Sequence, residues 1–442
     1  MTSVPTSAGF ASVRLAAACA VALLFAPRSL CAQLGLQDVL TAAPTAVLVN
    51  PAAELPERLT FQLASYGTST QLSFRPEDIG RREDGGLVIS PAAVSATLPE
   101  EADGRLSIDA STLLVNVRRD GYAFGFHHGV RAFADVVAPR ATLSLVAEGN
   151  RVAIGAPLRV LPKGYFSTWH EVGAHYSRDL GERVRIGGRV KLLLGASDIR
   201  LDGEQRADLA VAAGSYAVAY DIDAEGLSAG YGLDFGGDTV ATPQLTFGPG
   251  AGAGAAVDLG IVVSPSEGFR FGVGVRDLGA IRWGTGRRHS ATASGVYRGA
   301  EGNVFAEDFS LTAVASYDSV RRRLNLATAE EGYGRRLPAK LTAHASRTLT
   351  DRLSVGAVAT ALFSTETTTV NAGVSGAYRL SEYVALGLLI GAGSEGGFVG
   401  GSVEARLGPV RVVAASDQAL GLANQYGPRS THGRVGVAWV VE

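Results

Sequence analysis

The sequence is poor in cysteine, methionine, charge and long apolar runs. Two cysteines and one methionine occur in 442 residues. Both cysteines, Cys19 and Cys31, lie in the first 32 residues, so the remainder has no disulfide and no thiolate metal site. Charged residues make up 19%, below the about 25% usual in soluble domains. Forty basic and 42 acidic residues nearly balance, which removes any electrostatic drive toward nucleic acid. An apolar content of 46% is too high for a disordered chain. The 56 glycines show no three-residue period, which excludes a collagen-like chain. Beyond the N-terminal segment there is no run of about 18 apolar residues, so no transmembrane helix is available.

What is present starts with an export signal. Arg14, the apolar run Leu15–Ala26 and a cleavage candidate at Cys31-Ala32-Gln33 read as a secretory signal peptide over residues 1–32. A lipoprotein signal fits less well, because Cys31 follows Arg28-Ser29-Leu30 and Cys19 precedes the end of the apolar run. An exported, apolar chain with no spanning helix is either a large secreted β-protein or a transmembrane β-barrel, whose alternating strands hide their hydrophobicity from a running average.

Period-two alternation dominates the chain. Val184, Ile186, Val190, Leu192 and Leu194 share one face of a strand, while Arg185, Arg189 and Lys191 share the other with Gly187 and Gly195. Val435, Val437, Trp439 and Val441 alternate in the same way at the end of the chain. A charge facing lipid at mid-membrane costs ~2–4 kcal/mol, so three cations on one strand must face a wet lumen if the opposite face meets hydrocarbon.

Polar links between alternating runs mark hairpin turns at 177–183, 346–352, 377–383, Arg119-Asp120-Gly121, Pro265–Gly268 and Leu407-Gly408-Pro409. Six turns join twelve strands. One strand near Leu59–Phe74 and another near Gly433–Val441 make about fourteen. The expected fold is all-β: a closed antiparallel transmembrane β-barrel over residues 59–442, with short periplasmic turns and long extracellular loops. The long connections are 201–249 and 284–338. An added hairpin at Ser215–Gly232 would make sixteen strands, the alternative count. Residues 33–58 are expected to enter the lumen as a plug.

An ordered set of short motifs adds a resemblance. It comprises Asn50-Pro51-Ala52, Glu148-Gly149-Asn150, Trp169–Tyr176, Gly188–Gly195, Asp258-Leu259-Gly260 and Asp277-Leu278-Gly279-Ala280-Ile281-Arg282-Trp283. Across residues 50–400 this set resembles an uncharacterised family of outer-membrane barrels from the Bacteroidota and their relatives, itself distantly similar to FadL-type transporters of hydrophobic compounds and to the secretion-system barrel PorV. The resemblance implies a bacterial outer-membrane location, a fourteen-strand barrel, an N-terminal hatch joined at Asn50 and Pro51, and passive uptake. The chain departs from many such barrels by ending Trp439-Val440-Val441-Glu442 rather than on an aromatic residue.

Parity assigns the candidate lumen residues. Asp258 points inward, since Val257, Leu259, Ile261 and Val263 form the apolar face. Asp277 shares parity with Phe271, Val273 and Val275. It therefore faces lipid unless the strand kinks near Asp277–Gly279, a kink that would turn the carboxylate inward and could open a lateral exit. The competing reading sets Asp277 at the outer rim, in water. Candidate inward groups for holding a plug or lining a transport path are Glu171, Arg185, Arg189, Lys191, Arg131, Arg406 and Glu404, with Trp283 ending the second Asp-Leu-Gly element.

Other apparent motifs fail on geometry. His170, Glu171 and His175 have zincin-like letters, but on a strand the two histidines face opposite sides, as do His127 and His128. The Gly248–Gly254 run lacks a following Lys-Ser/Thr and a helix. No metal, cofactor or catalytic site is expected. The expected function is a FadL-like passive channel for small hydrophobic or amphipathic molecules. The alternative is a structural or secretion-accessory barrel that binds a protein partner.

Overall fold

The computed structural model describes residues 44–442 apart from 84–85, 149–151, 156, 202–204, 215–216, 233–243, 246–247, 298–324, 395, 420–426 and 428. The expected signal segment 1–32, and residues 33–43 of the expected plug, lie outside the described residues.

Fourteen strands form one closed antiparallel wall. They are β1 (Leu59–Leu72), β2 (Glu101–Arg119), β3 (Tyr122–Pro139), β4 (Lys163–Leu180), β5 (Val184–Leu201), β6 (Gly252–Ser266) and β7 (Phe269–Trp283). The other half comprises β8 (Ala339–Thr350), β9 (Leu353–Phe363), β10 (Thr368–Arg379), β11 (Val384–Gly393), β12 (Gly396–Leu407), β13 (Val410–Ser416) and β14 (Ser430–Val441). Closure comes from β1, which pairs with β14 (Leu59↔Val441) on one side and with β2 (Leu59↔Val117) on the other. Closing the ring removes every free sheet edge, the one way a sheet satisfies its backbone within lipid.

All six short turns fall where polar residues interrupt the alternation, and both ends of the wall lie on the same side as those turns. Burial is inverted relative to a soluble protein. On β5, Arg189 and Lys191 are each 1% exposed while Val190 and Leu192 are 64% and 52% exposed. Phe61, Phe124, Phe126, Phe271, Leu388 and Trp439 likewise face outward. The outer face is therefore an apolar belt, and the charged residues are inside.

The alternative of sixteen strands is not realised. The 215–232 stretch does contain a strand, Val218–Ala229, but it pairs mainly with Arg206–Val211 and Arg287–Tyr297. Arg287–Tyr297 pairs in turn with Ala327–Glu330. These strands form a sheet that prolongs one side of the wall beyond its loop end. Two helices, α2 (Pro91–Thr97) and α3 (Arg140–Glu148), cap the adjoining side through Phe74, Ile79, Val94, Leu98 and Leu143.

Candidate functional site

The lumen is filled in three layers. At the turn end lies the N-terminal segment, with a one-turn helix α1 (Ala46–Val49) followed by the Asn50-Pro51-Ala52 turn. Its apolar residues Val47, Leu48, Ala53 and Leu55 pack on Leu114 of β2. The Asn50 side chain accepts from Ala52 N at 2.9 Å, closing an Asx turn, and donates to the Ile261 carbonyl of β6 at 3.3 Å. The free carbonyls at the end of α1 are met by Arg189, whose guanidinium donates to Leu48 O at 3.3 Å and to Val47 O. Further along, Arg118 pairs with Glu54 at 3.0 Å, and Arg411 joins Glu57 to Glu404.

The wall opposite this turn is flattened by glycine. Gly187, Gly260 and Gly274 are direct cross-strand partners on β5, β6 and β7. A Cβ on Gly187 would overlap Pro51, and one on Gly260 would overlap the Asn50 side chain. A Cβ on Gly274 would come to 3.0 Å from the Val49 carbonyl. Three glycines in register thus form the seat on which the segment rests.

The middle layer is a charged network from six consecutive strands, β2 to β7. Arg189 pairs with Asp258 at 2.8 Å. Lys191 reaches Asp258 at 2.8 Å, Glu171 at 3.8 Å and, in closest contact, Asp277. Arg131 binds Glu171 at 3.0 Å, Asp109 at 3.1 Å and Asp277 at 3.2 Å. Arg276 lies 3.7 Å from Asp277, and His127 3.2 Å from Glu171. Four cations (Arg131, Arg189, Lys191, Arg276) meet four carboxylates (Asp109, Glu171, Asp258, Asp277), so the buried set is balanced. Burying this many charges is tolerable only with such mutual pairing.

Asp277 enters the network through a kink. On β6 Asp258 alone stands between Val257 and Leu259, whereas Arg276 and Asp277 both stand between their partners on β7. This two-against-one register is a β-bulge, and Asp277 takes φ +63 there. Its carboxylate points inward, its amide donates to Asp258 at 2.7 Å, and Leu278 is exposed outside. The competing rim placement of Asp277 is not what the fold adopts. Facing the bulge, the wall changes strand. Residues 269–276 pair with β8, but Ala280–Trp283 pair with Tyr333–Arg336. Leu337 N bonds Gly279 O at 3.0 Å at the changeover, where Pro338 supplies no amide hydrogen. Gly279 itself sits too close to the Ala255 carbonyl on β6 to carry a Cβ. Just inside lies a small void of about 40 Å³ lined by Phe133, Trp169, Asp277, Pro338, Lys340 and Leu362.

The third layer, toward the loop end, is apolar. Trp283 is fully buried with Phe133, Tyr165, Trp169, Leu193 and Ile281. Its ring lies on Gly195, where a Cβ would collide with it. Above it Arg335 pairs with Asp198 at 2.7 Å and stacks on Tyr165 at 4.0 Å.

Six expected lumen residues, Arg131, Glu171, Arg189, Lys191, Asp258 and Asp277, thus meet in one network. Arg185 does not join them: it faces inward near the turn end, held by Asp179 at 2.7 Å and Ser177 at 3.1 Å. Glu404 and Arg406 line a charged cavity of about 890 Å³ that opens at the turn end. Trp283 belongs to the apolar layer. Sequence reasoning passed over Asp109 and Arg276. Arg276 was readable, since Val275 faces out, but Asp109 was hidden by a bulge at Thr112 that inverts the parity of β2.

No curated protein matches the chain. Among solved structures, a deltaS2S3 mutant of the TodX monoaromatic hydrocarbon channel is 13% identical, with 93% of this chain and 95% of that one covered and a TM-score of 0.46. The Pseudomonas putida toluene transporter TodX is 11% identical over 93% and 94%, TM-score 0.44. A Pseudomonas aeruginosa FadL homologue is 14% identical over 90% and 94%, TM-score 0.46. A family model covers most of the length, so the chain belongs to the family of unknown function DUF5723, matched over residues 51–417.

Proposed function

We propose that the protein is a plugged outer-membrane channel for the passive passage of small hydrophobic or amphipathic molecules. The observation that carries this reading is the junction of two features. An N-terminal segment rests on the glycine seat by reversible polar contacts, and the network that holds it also reaches the Asp277 bulge, where the wall changes strand beside a partly aromatic void. Residues 33–58 act as the plug. Lys191 and Arg131 tie the bulge shut, and Arg189 ties down the plug. When the plug withdraws, Arg189 loses two carbonyl acceptors and its pairing with Asp258 reorganises, which loosens Lys191 and with it Asp277. A cargo molecule then leaves through the wall between β7 and Pro338 rather than along the whole lumen.

Flux of a small fluorescent aromatic probe into lipopolysaccharide-containing proteoliposomes tests this, with the chain intact and with residues 33–58 removed. The expected result is slow uptake by the intact chain and faster uptake by the truncated one, both dependent on protein. Absence of protein-dependent uptake in both forms overturns the channel reading. It would favour the other reading, a barrel whose outer sheet (206–211, 218–229, 287–297 and 327–330) engages a protein partner.

A further inference from the structure

Most of the outward face is apolar, and a polar cluster interrupts it on β2, β3 and β4. His128 of β3 and His170 of β4 point outward, with ring centroids 5.7 Å apart. Beside them the Thr112 hydroxyl bonds His128 Nδ1 at 2.6 Å. Thr112 is exposed because it is the extra residue of a bulge between Ser111 and Leu113, and that bulge aims its side chain at the histidine. The three polar groups have apolar neighbours along each strand: Phe126 and Val130 on β3, Val172 and Ala174 on β4, Ala110 and Leu113 on β2.

Their depth follows from strand geometry. Six residues separate His128 from Tyr122, and six separate His170 from Tyr176, two stacked aromatics near the turn end. At ~3.3 Å per residue and a tilt near 40°, six residues rise ~15 Å. The apolar band of such barrels is about 25 Å tall. The patch therefore lies near mid-membrane, where neither water nor lipid headgroups can serve the Nε2 of His128. Thr112 engages Nδ1, which leaves Nε2 of His128 with no hydrogen bond among the described residues.

We infer that this patch is an interface between two copies of the chain within the membrane. The chemistry is self-complementary. If the hydroxyl donates to Nδ1, Nε2 carries a proton and donates outward. If Nδ1 donates, Nε2 accepts and the hydroxyl donates to the His128 carbonyl at 3.4 Å. A twofold axis through the patch sets the two His128 rings against one another, so the Nε2–H of one copy meets the Nε2 lone pair of the other when they hold opposite tautomers, an isologous pairing of the same surface. Ala110 and Ala174 beside it are small enough to let two walls approach, which is how spanning segments pack when lipid gives no hydrophobic drive.

Cysteine cross-linking in native membranes tests the contact. Ala174→Cys places a thiol on the exposed rim of the patch, and Val374→Cys places one on the opposite wall. The unsubstituted chain, with only Cys19 and Cys31, is the control. Copper-phenanthroline oxidation is expected to give a covalent dimer of twice the chain mass for Ala174→Cys alone. Adding His128→Leu is expected to cut its yield at least fivefold, and Thr112→Val is expected to act in the same direction. Unheated gel mobility confirms that each barrel is folded. No dimer from folded Ala174→Cys, a yield indifferent to both patch substitutions, or a conjugate of some other mass would each overturn the inference, the last in favour of a different membrane protein.

Discussion

Lys191 shows how much one side chain carries in this lumen. It is 1% exposed and within ion-pair distance of three carboxylates. Breaking a buried pair by removing one partner costs about 3–5 kcal/mol, because the remaining charge is left uncompensated. Lys191→Met is therefore expected to lower the unfolding free energy by about that amount, measured by denaturant titration in lipid vesicles. Adding Asp277→Asn is expected to restore part of the loss, since three cations then face three carboxylates, Asp258 keeps Arg189, and Arg131 keeps Asp109 and Glu171. Gly260→Ala acts on the plug instead. The added methyl displaces Asn50 and weakens its bond to Ile261, a loss of ~1–2 kcal/mol in seating. Faster protease cleavage between residues 44 and 58 from the turn end, with barrel mobility on unheated gels unchanged, would be the expected signature.

At the scale of the element, the β7 bulge decides which way its last turn of side chains faces. If the strand alternated regularly with Asp277 kept, Trp283 would point into lipid and Arg282 into the apolar layer. Deleting Asp277 removes the bulge and leaves Leu278 outside and Trp283 inside, so the heat-sensitive folded band on unheated gels is expected to persist, at lower stability for want of the Lys191 and Arg131 pairs. Point substitutions separate the backbone from the charge. Asn tolerates the left-handed conformation at φ +63, while a β-branched residue does not. Both Asp277→Asn and Asp277→Val lose the pairs to Lys191 and Arg131. The valine variant is expected to be less stable by a further ~1–2 kcal/mol, read from the same denaturant titration. Equal losses would show that the kink carries no backbone strain.

The whole molecule is an inside-out solution to solvation, with ion pairs in the lumen and hydrocarbon on the surface. Val190→Arg, on the lipid face between Arg189 and Lys191, is expected to cost ~2–4 kcal/mol in the folding equilibrium in bilayers. The strand order was readable because six turns announce themselves as polar breaks in a two-residue period. The facing of β5 and β6 was readable because alternation admits only one arrangement with lipid outside. The outer connections were not. Val218–Ala229 alternates like a wall strand, yet its partner Arg287–Tyr297 lies in another long connection, and no local pattern announces such a pairing.

By itself the sequence determined a closed barrel of about fourteen strands, with sixteen left open, and which face of each regular strand is charged, because these follow from local periodicity and from the cost of charge in hydrocarbon. Only the tertiary structure decided that Arg131 on β3 meets Asp277 on β7, that three glycines on separate strands align beneath Asn50, and that Arg185 stays apart with Asp179. Those pairings depend on register, shear and a bulge, which fix distances across the lumen and leave no mark on any single strand.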